Sequence, residues 1–281
     1  MKTEIKLIMA VIAAILAGCA STGNHYEYGM QYYEAGKLDE AIEEFQASIA
    51  IYPSDPVVHK ALGDVFADKG LLFEAVTEWE VALRLRPNYE EIKGKLEASY
   101  LTLGREESDK GKLDDAMELW RRAINLNPNS LEAHKKMGLA YLQKKDNASA
   151  IPYLEFVVDK NPSDDVVLKR LGMAYFTVGN LDSAARTFEA LIRIKPTDAA
   201  AQNNLGSILI KQKKFEVAVD VLTRALKLAP DEVAILNNLG SAYYGKNDFK
   251  NARAQWSRAL EISPTDKVAR ENIKTLNNMG E

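Results

Sequence analysis

The apolar positions of the chain recur at a fixed interval, with polar residues between them. A large apolar residue and, four residues before it, an alanine precede each of seven prolines by the same distances, eight and twelve residues. Such a period is the signature of a repeat architecture. The prolines lie 34 residues apart with one interval of 41: Pro53, Pro87, Pro128, Pro162, Pro196, Pro230 and Pro264.

Each recurring position has a physical role that predicts two helices per unit. A glycine on the first helix and an alanine on the second let two backbones approach closely, and the proline cannot continue the second helix. Glycines at 36, 70, 111 and 179 can take the left-handed conformation that ends a first helix. Polar residues after the proline, as in PSDD and PTDA, can cap the next helix. The glycines of the first helices are Gly29, Gly63, Gly138, Gly172, Gly206 and Gly240.

Two segments, LGMAYFTVGNLDSAARTFEALIRIKP (171–196) and LGSAYYGKNDFKNARAQWSRALEISP (239–264), resemble the tetratricopeptide repeat family. The resemblance implies an all-α fold, a right-handed α-solenoid of helix–turn–helix repeats. It covers residues 22–264, and residues 265–281 are predicted to form a capping helix and tail. The seven repeats are expected at about 22–55, 56–89, 90–130, 131–164, 165–198, 199–232 and 233–264.

The third repeat departs from the period by seven residues. Counting 34 residues on from Gly63 reaches Glu97 rather than glycine, while Leu96–Tyr100 and Leu103-Gly104 both match the first-helix pattern. Seven residues are close to two helical turns, so an apolar stripe stays in phase. We expect a longer first helix or a kink near Gly104. A bend, a partner contact and a tolerated insertion all remain open as its role.

The N-terminus has the organisation of a signal peptide. Lys2 and Lys6 precede eleven apolar residues, 7–17, which form too short a helix for a hydrocarbon core of about 30 Å. The run ends Leu16-Ala17-Gly18-Cys19 and resembles the lipobox of bacterial lipoproteins. A buried helix and a stray or buried thiol are the alternatives.

The lipobox resemblance implies that residues 1–18 are removed, that Cys19 is lipidated, and that residues 19–24 form a short anchor and linker. Several acyl chains on one residue hold a protein firmly at a membrane. The residues after the cysteine, Ala20-Ser21, lack the aspartate that usually signals inner-membrane retention. We therefore expect a protein lipid-anchored in the bacterial cell envelope, at the outer membrane facing the periplasm.

Composition and motifs narrow the function further. The net charge of −4 is opposite to the positive charge expected of a nucleic-acid-binding protein. The chain has no Gly-rich phosphate loop, HExxH or GxSxG motif. Its histidines (His25, His59 and His134) occupy one repeat position, where packing between helices explains them better than a metal site. We expect no enzyme, cofactor, metal or small-molecule substrate.

The family resemblance implies a concave groove lined by the first helices. Repeats two to five supply a basic strip and repeats six and seven paired asparagines, which favour carboxylates and a peptide backbone respectively. Alternatively, these residues are only solvated polar ends of helices. The candidate groove residues are Lys60, Lys95, Lys135, Lys136, Lys169, Arg170, Asn203, Asn204, Asn237 and Asn238.

The sequence therefore predicts a protein–protein interaction scaffold that binds a peptide or protein segment of other envelope proteins. A lipobox followed by repeats resembles outer-membrane pilotins of type IV pilus and secretion machinery, and adaptors for peptidoglycan hydrolases. A periplasmic chaperone-like carrier is the alternative of another class.

Overall fold

The computed structural model describes residues 24–280. Cys19 and the expected signal peptide lie outside the described residues. Every regular element in the described range is an α-helix, so the all-α prediction is confirmed. Contacts divide the chain into two compact units, Met1–Ala133 and His134–Glu281.

Unit one contains three helix pairs and the first residues of α7. Short turns join the two helices of each pair, as the repeat pattern predicts. The helices are α1 (Asn24–Glu34), α2 (Leu38–Ile51), α3 (Pro56–Asp68), α4 (Leu72–Leu85), α5 (Glu90–Asp109), α6 (Leu113–Leu126) and α7 (Leu131–Gln143).

Unit two continues the same alternation from α7 onward. The helices are α8 (Asn147–Lys160), α9 (Asp165–Thr177), α10 (Leu181–Ile194), α11 (Ala199–Lys211), α12 (Phe215–Leu228), α13 (Val233–Gly245), α14 (Phe249–Ile262) and α15 (Lys267–Met279). The last helix follows the seventh pair and buries Leu276 against Trp256 and Ala259 of α14 and their neighbours. α15 thus covers the apolar face of the last repeat, as a capping helix must.

The core of each repeat is the contact between first-helix glycine and second-helix large residue. A Cβ built on Gly172 would lie 2.8 Å from the Phe188 ring, and one on Gly206 would lie 2.4 Å from Leu222 Cγ. The recurring alanines, such as Ala184 and Ala218, are fully buried. The predicted packing of glycine, alanine and large side chain is confirmed.

The turns within repeats use the left-handed conformation more widely than the glycines predict. Gly36, Gly70, Gly111 and Gly179 have φ between 72° and 83°, as expected. Three repeats without glycine place an ordinary residue in the same conformation, with φ of 60–62°. These residues are Lys145, Lys213 and Asn247.

The third repeat is longer because its first helix is longer. α5 has 20 residues, against 13 in α3. Its N-terminal part, with Leu96, packs against α4, whereas Gly104 faces Trp120 of α6, with 2.3 Å from a built Cβ to Nε1. The glycine of this repeat is therefore Gly104, which corrects the alignment on Glu97.

No helix within residues 24–280 is long and apolar enough to cross a membrane.

Candidate functional site

The candidate site is the surface that we call the first-helix face, formed in each unit by neighbouring first helices. Hydrogen bonds between residues about one repeat apart show that these helices lie side by side. In unit one Tyr33 Oη donates to Asp68 at 2.6 Å, and in unit two Asn238 Nδ2 donates to Asn203 Oδ1 at 2.8 Å.

In unit one, the expected basic groups of the first-helix face are paired with carboxylates. Lys60 Nζ lies 2.9 Å from Asp64 and 3.0 Å from Glu91. Lys95 Nζ lies 2.7 Å from Asp64 and 3.2 Å from Glu91. Trp79 Nε1 also donates to Asp64, at 2.9 Å. Two cations and two anions make this cluster neutral overall, so repeats two and three present no excess positive charge here.

The pairing in unit one shifts the ionisation of its members. Partial burial alone would lower the pKa of Lys60, but hydrogen bonds to Asp64 and Glu91 raise it above its ordinary value. The hydrogen bond from Lys60 lowers the pKa of Glu91. Burial, together with its bond to Asp68, raises the pKa of Tyr33 to about 12. Lys60 and Glu91 are therefore charged, and Tyr33 remains a neutral donor, at neutral pH.

Unit two presents free cations on α9. Lys169 and Arg170 are exposed, and no hydrogen bond or ion pair with another described residue holds either of them. Val166 and Met173, three residues before and three residues after the pair, are also exposed. Positions i, i+3, i+4 and i+7 share one helix face, so an apolar and basic stripe runs along α9.

The other lysines of the expected strip, on α7, are partly buried. Lys135 Nζ lies 2.8 Å from Asp164, which also accepts a hydrogen bond from Val167 N as the N-cap of α9. Burial opposes ionisation of Asp164, but these two bonds lower its pKa below the ordinary value. Lys136 is half-buried and engaged in a contact of its own. Lys135 is therefore a link between repeats.

One asparagine of repeat six, Asn203, lines a cleft of unit two together with Glu232 and mostly small apolar residues. The cleft has a volume of about 350 Å³ and lies between α11 and α13. Asn203, which accepts the hydrogen bond from Asn238, forms part of its wall, and Ala200 and Ala234 keep it open because their side chains are small. Asn204 is half-buried beside Asn203. Amide donors and acceptors thus lie next to a small apolar surface.

Asn237 does not belong to this surface. Its side chain is only 8 % exposed, and Nδ2 donates to Asp266 Oδ1 at 2.9 Å. Asp266 in turn caps α15 through Ala269 N at 2.8 Å. Asn237 corresponds in register to Lys135, and both side chains reach the aspartate that caps the next first helix. The prediction that Asn237 lines the groove together with Asn238 is therefore wrong, because only Asn238 faces outward.

The histidines pack between helices, as expected. His25 and His59 place Nδ1 at 2.6 Å from Glu44 and Glu78 respectively, and His134 stacks on Phe156 with 3.9 Å between ring centroids. No group of three or more metal-ligating side chains that could hold a metal ion occurs within the described part of the chain.

Several comparisons place this fold among known proteins. Two tetratricopeptide repeat models match the sequence, one at residues 169–232 and 208–267 and the other at 29–70 and 104–145, together more than half of the chain. None of the curated proteins matches the chain in sequence.

Solved structures with the same fold share little sequence with the chain. MamA is 22 % identical, with a TM-score of 0.57 over 61 % of this chain and 93 % of its own. YrrB, described as a TPR protein with an unusual peptide-binding site, is 18 % identical, with a TM-score of 0.59 over 63 % and 91 %. The C-terminal part of a TPR repeat-containing protein from Cytophaga hutchinsonii is 20 % identical, with a TM-score of 0.53 over 88 % and 98 %. The repeat models and the shared fold agree, and the chain belongs to the tetratricopeptide repeat family.

Proposed function

We propose that the protein is a membrane-anchored periplasmic scaffold that binds an extended or C-terminal peptide segment of a partner on the first-helix face of unit two. The observation that carries this proposal is the combination of free Lys169 and Arg170 with the cleft beside Asn203, which is hydrogen-bonded to Asn238. Protein and peptide partners are what the tetratricopeptide fold favours.

The chemistry of this surface fits a peptide. Lys169 and Arg170 are free to pair with a carboxylate, either an acidic side chain or a chain terminus. The mutual bond of Asn203 and Asn238 leaves further amide donors and acceptors for a peptide backbone. The small side chains of Ala200 and Ala234 leave room for the partner's side chains. The partner segment should therefore carry a carboxylate where it meets α9. The identity of its side chains near α13 should matter little.

A similar fold with a peptide site supports the proposal. YrrB carries an unusual peptide-binding site on a tetratricopeptide fold. This chain has the exposed polar groups with which such a fold can hold a peptide.

The anchor is the second part of the proposal. Lipidation of Cys19 would tie the protein to the outer membrane through a linker of only four residues, 20–23, before α1. The described helices would then face the periplasm close to the bilayer. We place the protein in assembly of an envelope complex, with type IV pilus or secretion machinery ahead of peptidoglycan hydrolase adaptation.

The anchor is tested by Cys19→Ser. The variant should no longer incorporate labelled palmitate, and it should move from the membrane to the soluble fraction of the envelope. Membrane retention of Cys19→Ser with unchanged labelling would contradict the anchor.

The peptide site is tested by two double variants. Proteins cross-linked to the purified wild type in solubilised envelope are identified, and the dominant one is titrated by fluorescence anisotropy. Lys169→Glu/Arg170→Glu and Asn203→Ala/Asn238→Ala should each weaken binding at least tenfold. Lys227→Glu, an exposed charge on α12, is the control and should bind like the wild type. Equal binding by all forms would contradict the assignment of the groove. Loose binding of many denatured chains would favour a chaperone-like carrier.

A further inference from the structure

The long helix α5 borders a second cleft, in unit one, which we call the α4–α6 cleft. It lies between the second helices of repeats two and three and has a volume of about 350 Å³. Phe73 of α4 and Leu119 of α6 form its walls, and Leu103 and Glu107 of α5 line it from the first helix. Leu103 directly precedes Gly104, the glycine that contacts Trp120 of α6. The cleft therefore lies where the long helix α5 passes the second helices of repeats two and three.

One end of the α4–α6 cleft is closed by a hydrogen-bonded bridge. Tyr100 Oη donates to Glu80 Oε1 at 2.5 Å, and Arg122 Nη1 donates to the same oxygen at 3.0 Å. Burial and the bond to Glu80 raise the pKa of Tyr100, so it remains a donor. The bridge joins Glu80 of α4 to Arg122 of α6. Glu80 lies two helical turns after Phe73 on α4, and Arg122 lies two helical turns after Asp115 on α6.

The other end of the cleft exposes an apolar ring. Phe73 lies two turns before Glu80 on α4, and its side chain is 72 % exposed, more than any other large apolar side chain in the described residues. A phenylalanine left in water beside Leu103 and Leu119 gains from being covered, because burying an aromatic ring removes a large apolar area from water. Exposed apolar surface next to a cleft is typical of an interaction site.

Three carboxylates line the rim of the α4–α6 cleft, those of Glu107, Asp115 and Glu118. Cations compensate two of them. Lys110 and Lys112 lie 2.8 and 3.3 Å from Glu107, and Arg121 and Arg122 lie 2.6 and 3.5 Å from Glu118.

Asp115 differs from the other rim carboxylates. No hydrogen bond or ion pair with another described residue holds it. The one cation lining the cleft, Arg122, is already engaged by Glu80 and Glu118. Asp115 is therefore the carboxylate of the rim that remains available to a ligand.

We propose that the α4–α6 cleft docks a segment of a partner protein that carries an apolar side chain next to a lysine or arginine. The apolar side chain enters between Phe73 and Leu119, and the cation pairs with Asp115. The unpaired carboxylate of Asp115 favours a basic segment over an acidic one. This site is independent of the peptide site in unit two, which has the opposite charge.

The test uses a random heptapeptide display library selected on the full-length protein without its signal peptide. Peptides are counter-selected on the double variant Phe73→Ala/Asp115→Lys, so that ligands of the first-helix face are removed. Enriched peptides should carry an apolar residue within two positions of a lysine or arginine. Titration by fluorescence anisotropy should show at least tenfold weaker binding to Phe73→Ala and to Asp115→Lys, while Val217→Ala and Asp220→Lys on α12 bind like the wild type.

Several results would overturn this proposal. One is no enrichment over the counter-selected variant, and another is enrichment of acidic peptides. Unchanged affinity in Phe73→Ala would do the same, since that side chain is exposed and its loss should leave the fold intact by circular dichroism. Concentration-dependent self-association that Phe73→Ala abolishes would assign the cleft to a second copy of this chain instead.

Discussion

The glycine of each first helix is a residue at which one methyl group decides the packing of a repeat. A Cβ on Gly63 would lie 2.5 Å from Trp79 Cδ1 and 3.1 Å from the backbone oxygen of Ala75. Neither neighbour is at the end of a flexible chain. Glycine at this position therefore has a lower helix propensity than alanine, but it allows the two helices to approach closely.

Gly63→Ala should lower stability although alanine is the better helix former. Overpacking the contact with Trp79 costs about 1–3 kcal/mol. The higher helix propensity of alanine returns only about 1 kcal/mol, so the net effect is destabilising. The matched control is Gly94→Ala in α5, where an added Cβ meets nothing within 4 Å. That variant should be more stable by roughly 0.5–1 kcal/mol. Urea unfolding followed by tryptophan fluorescence measures both, and equal shifts would contradict the packing account.

Lysines whose backbone takes the left-handed conformation give a second prediction at the scale of single residues. Lys213 has φ of 60°, a conformation that costs a non-glycine residue about 1–2 kcal/mol. Lys213→Gly should therefore raise the free energy of unfolding, by about 0.5–1 kcal/mol after the entropy of glycine is counted. Lys214→Gly, at φ of −90°, is the control and should give no gain. Chemical denaturation distinguishes the two.

The sequence predicts residues that recur, and it fails where side chains choose among neighbours. The buried alanines and the glycine contacts follow from the period, because each repeat must bury the same face. The neutral cluster at Lys60 does not follow from it, since Asp64 and Glu91 occupy no recurring acidic position. Asn237 turns inward to Asp266 while Asn238 faces outward, and adjacent identical residues give no sequence signal for that difference.

At the scale of elements, the N-cap of one first helix is held by a side chain of the preceding first helix. Asp266 caps α15 and also accepts from Asn237 of α13, whereas Asp248 caps α14 using only Asn251 of its own first turn. The capping helix is thus tied to the last repeat by a polar link as well as by Leu276.

Asp266→Ala should destabilise the protein more than Asp248→Ala. Loss of an N-cap costs about 1 kcal/mol in either case, and Asp266→Ala also leaves the buried amide of Asn237 without its acceptor, at about 1–3 kcal/mol. A double-mutant cycle of Asn237→Ala and Asp266→Ala, measured by thermal unfolding, should show coupling of about 0.5–1.5 kcal/mol. Additive effects would remove the link from the account.

The long α5 shows how an element can depart from the period without breaking it. Two extra turns keep the apolar stripe in phase, so Leu96 packs on α4 while Gly104 still meets Trp120. The pattern predicted this longer helix. The cleft beside Phe73 could not be predicted, because it depends on the distance between α4 and α6.

At the scale of the whole molecule, each compact unit has one surface suited to a partner. Unit one offers an apolar cleft with the unpaired carboxylate of Asp115 at its rim, and unit two offers the free cations of α9 and the amides of α11 and α13. Opposite charge lets one chain discriminate between two kinds of segment. A protein with this arrangement is suited to bring two partners together, which is the work of a scaffold.

Site-specific photocrosslinking in the native cell tests the central claim most directly. One strain carries the probe in place of Lys169 on α9, and a second carries it in place of Lys227 on α12, both exposed positions. Mass spectrometry then identifies the captured proteins. A single dominant envelope protein captured from position 169 and absent from position 227 is the predicted result. Capture from position 227 alone, or the same broad mixture from both positions, would contradict a dedicated binding surface on the first helices.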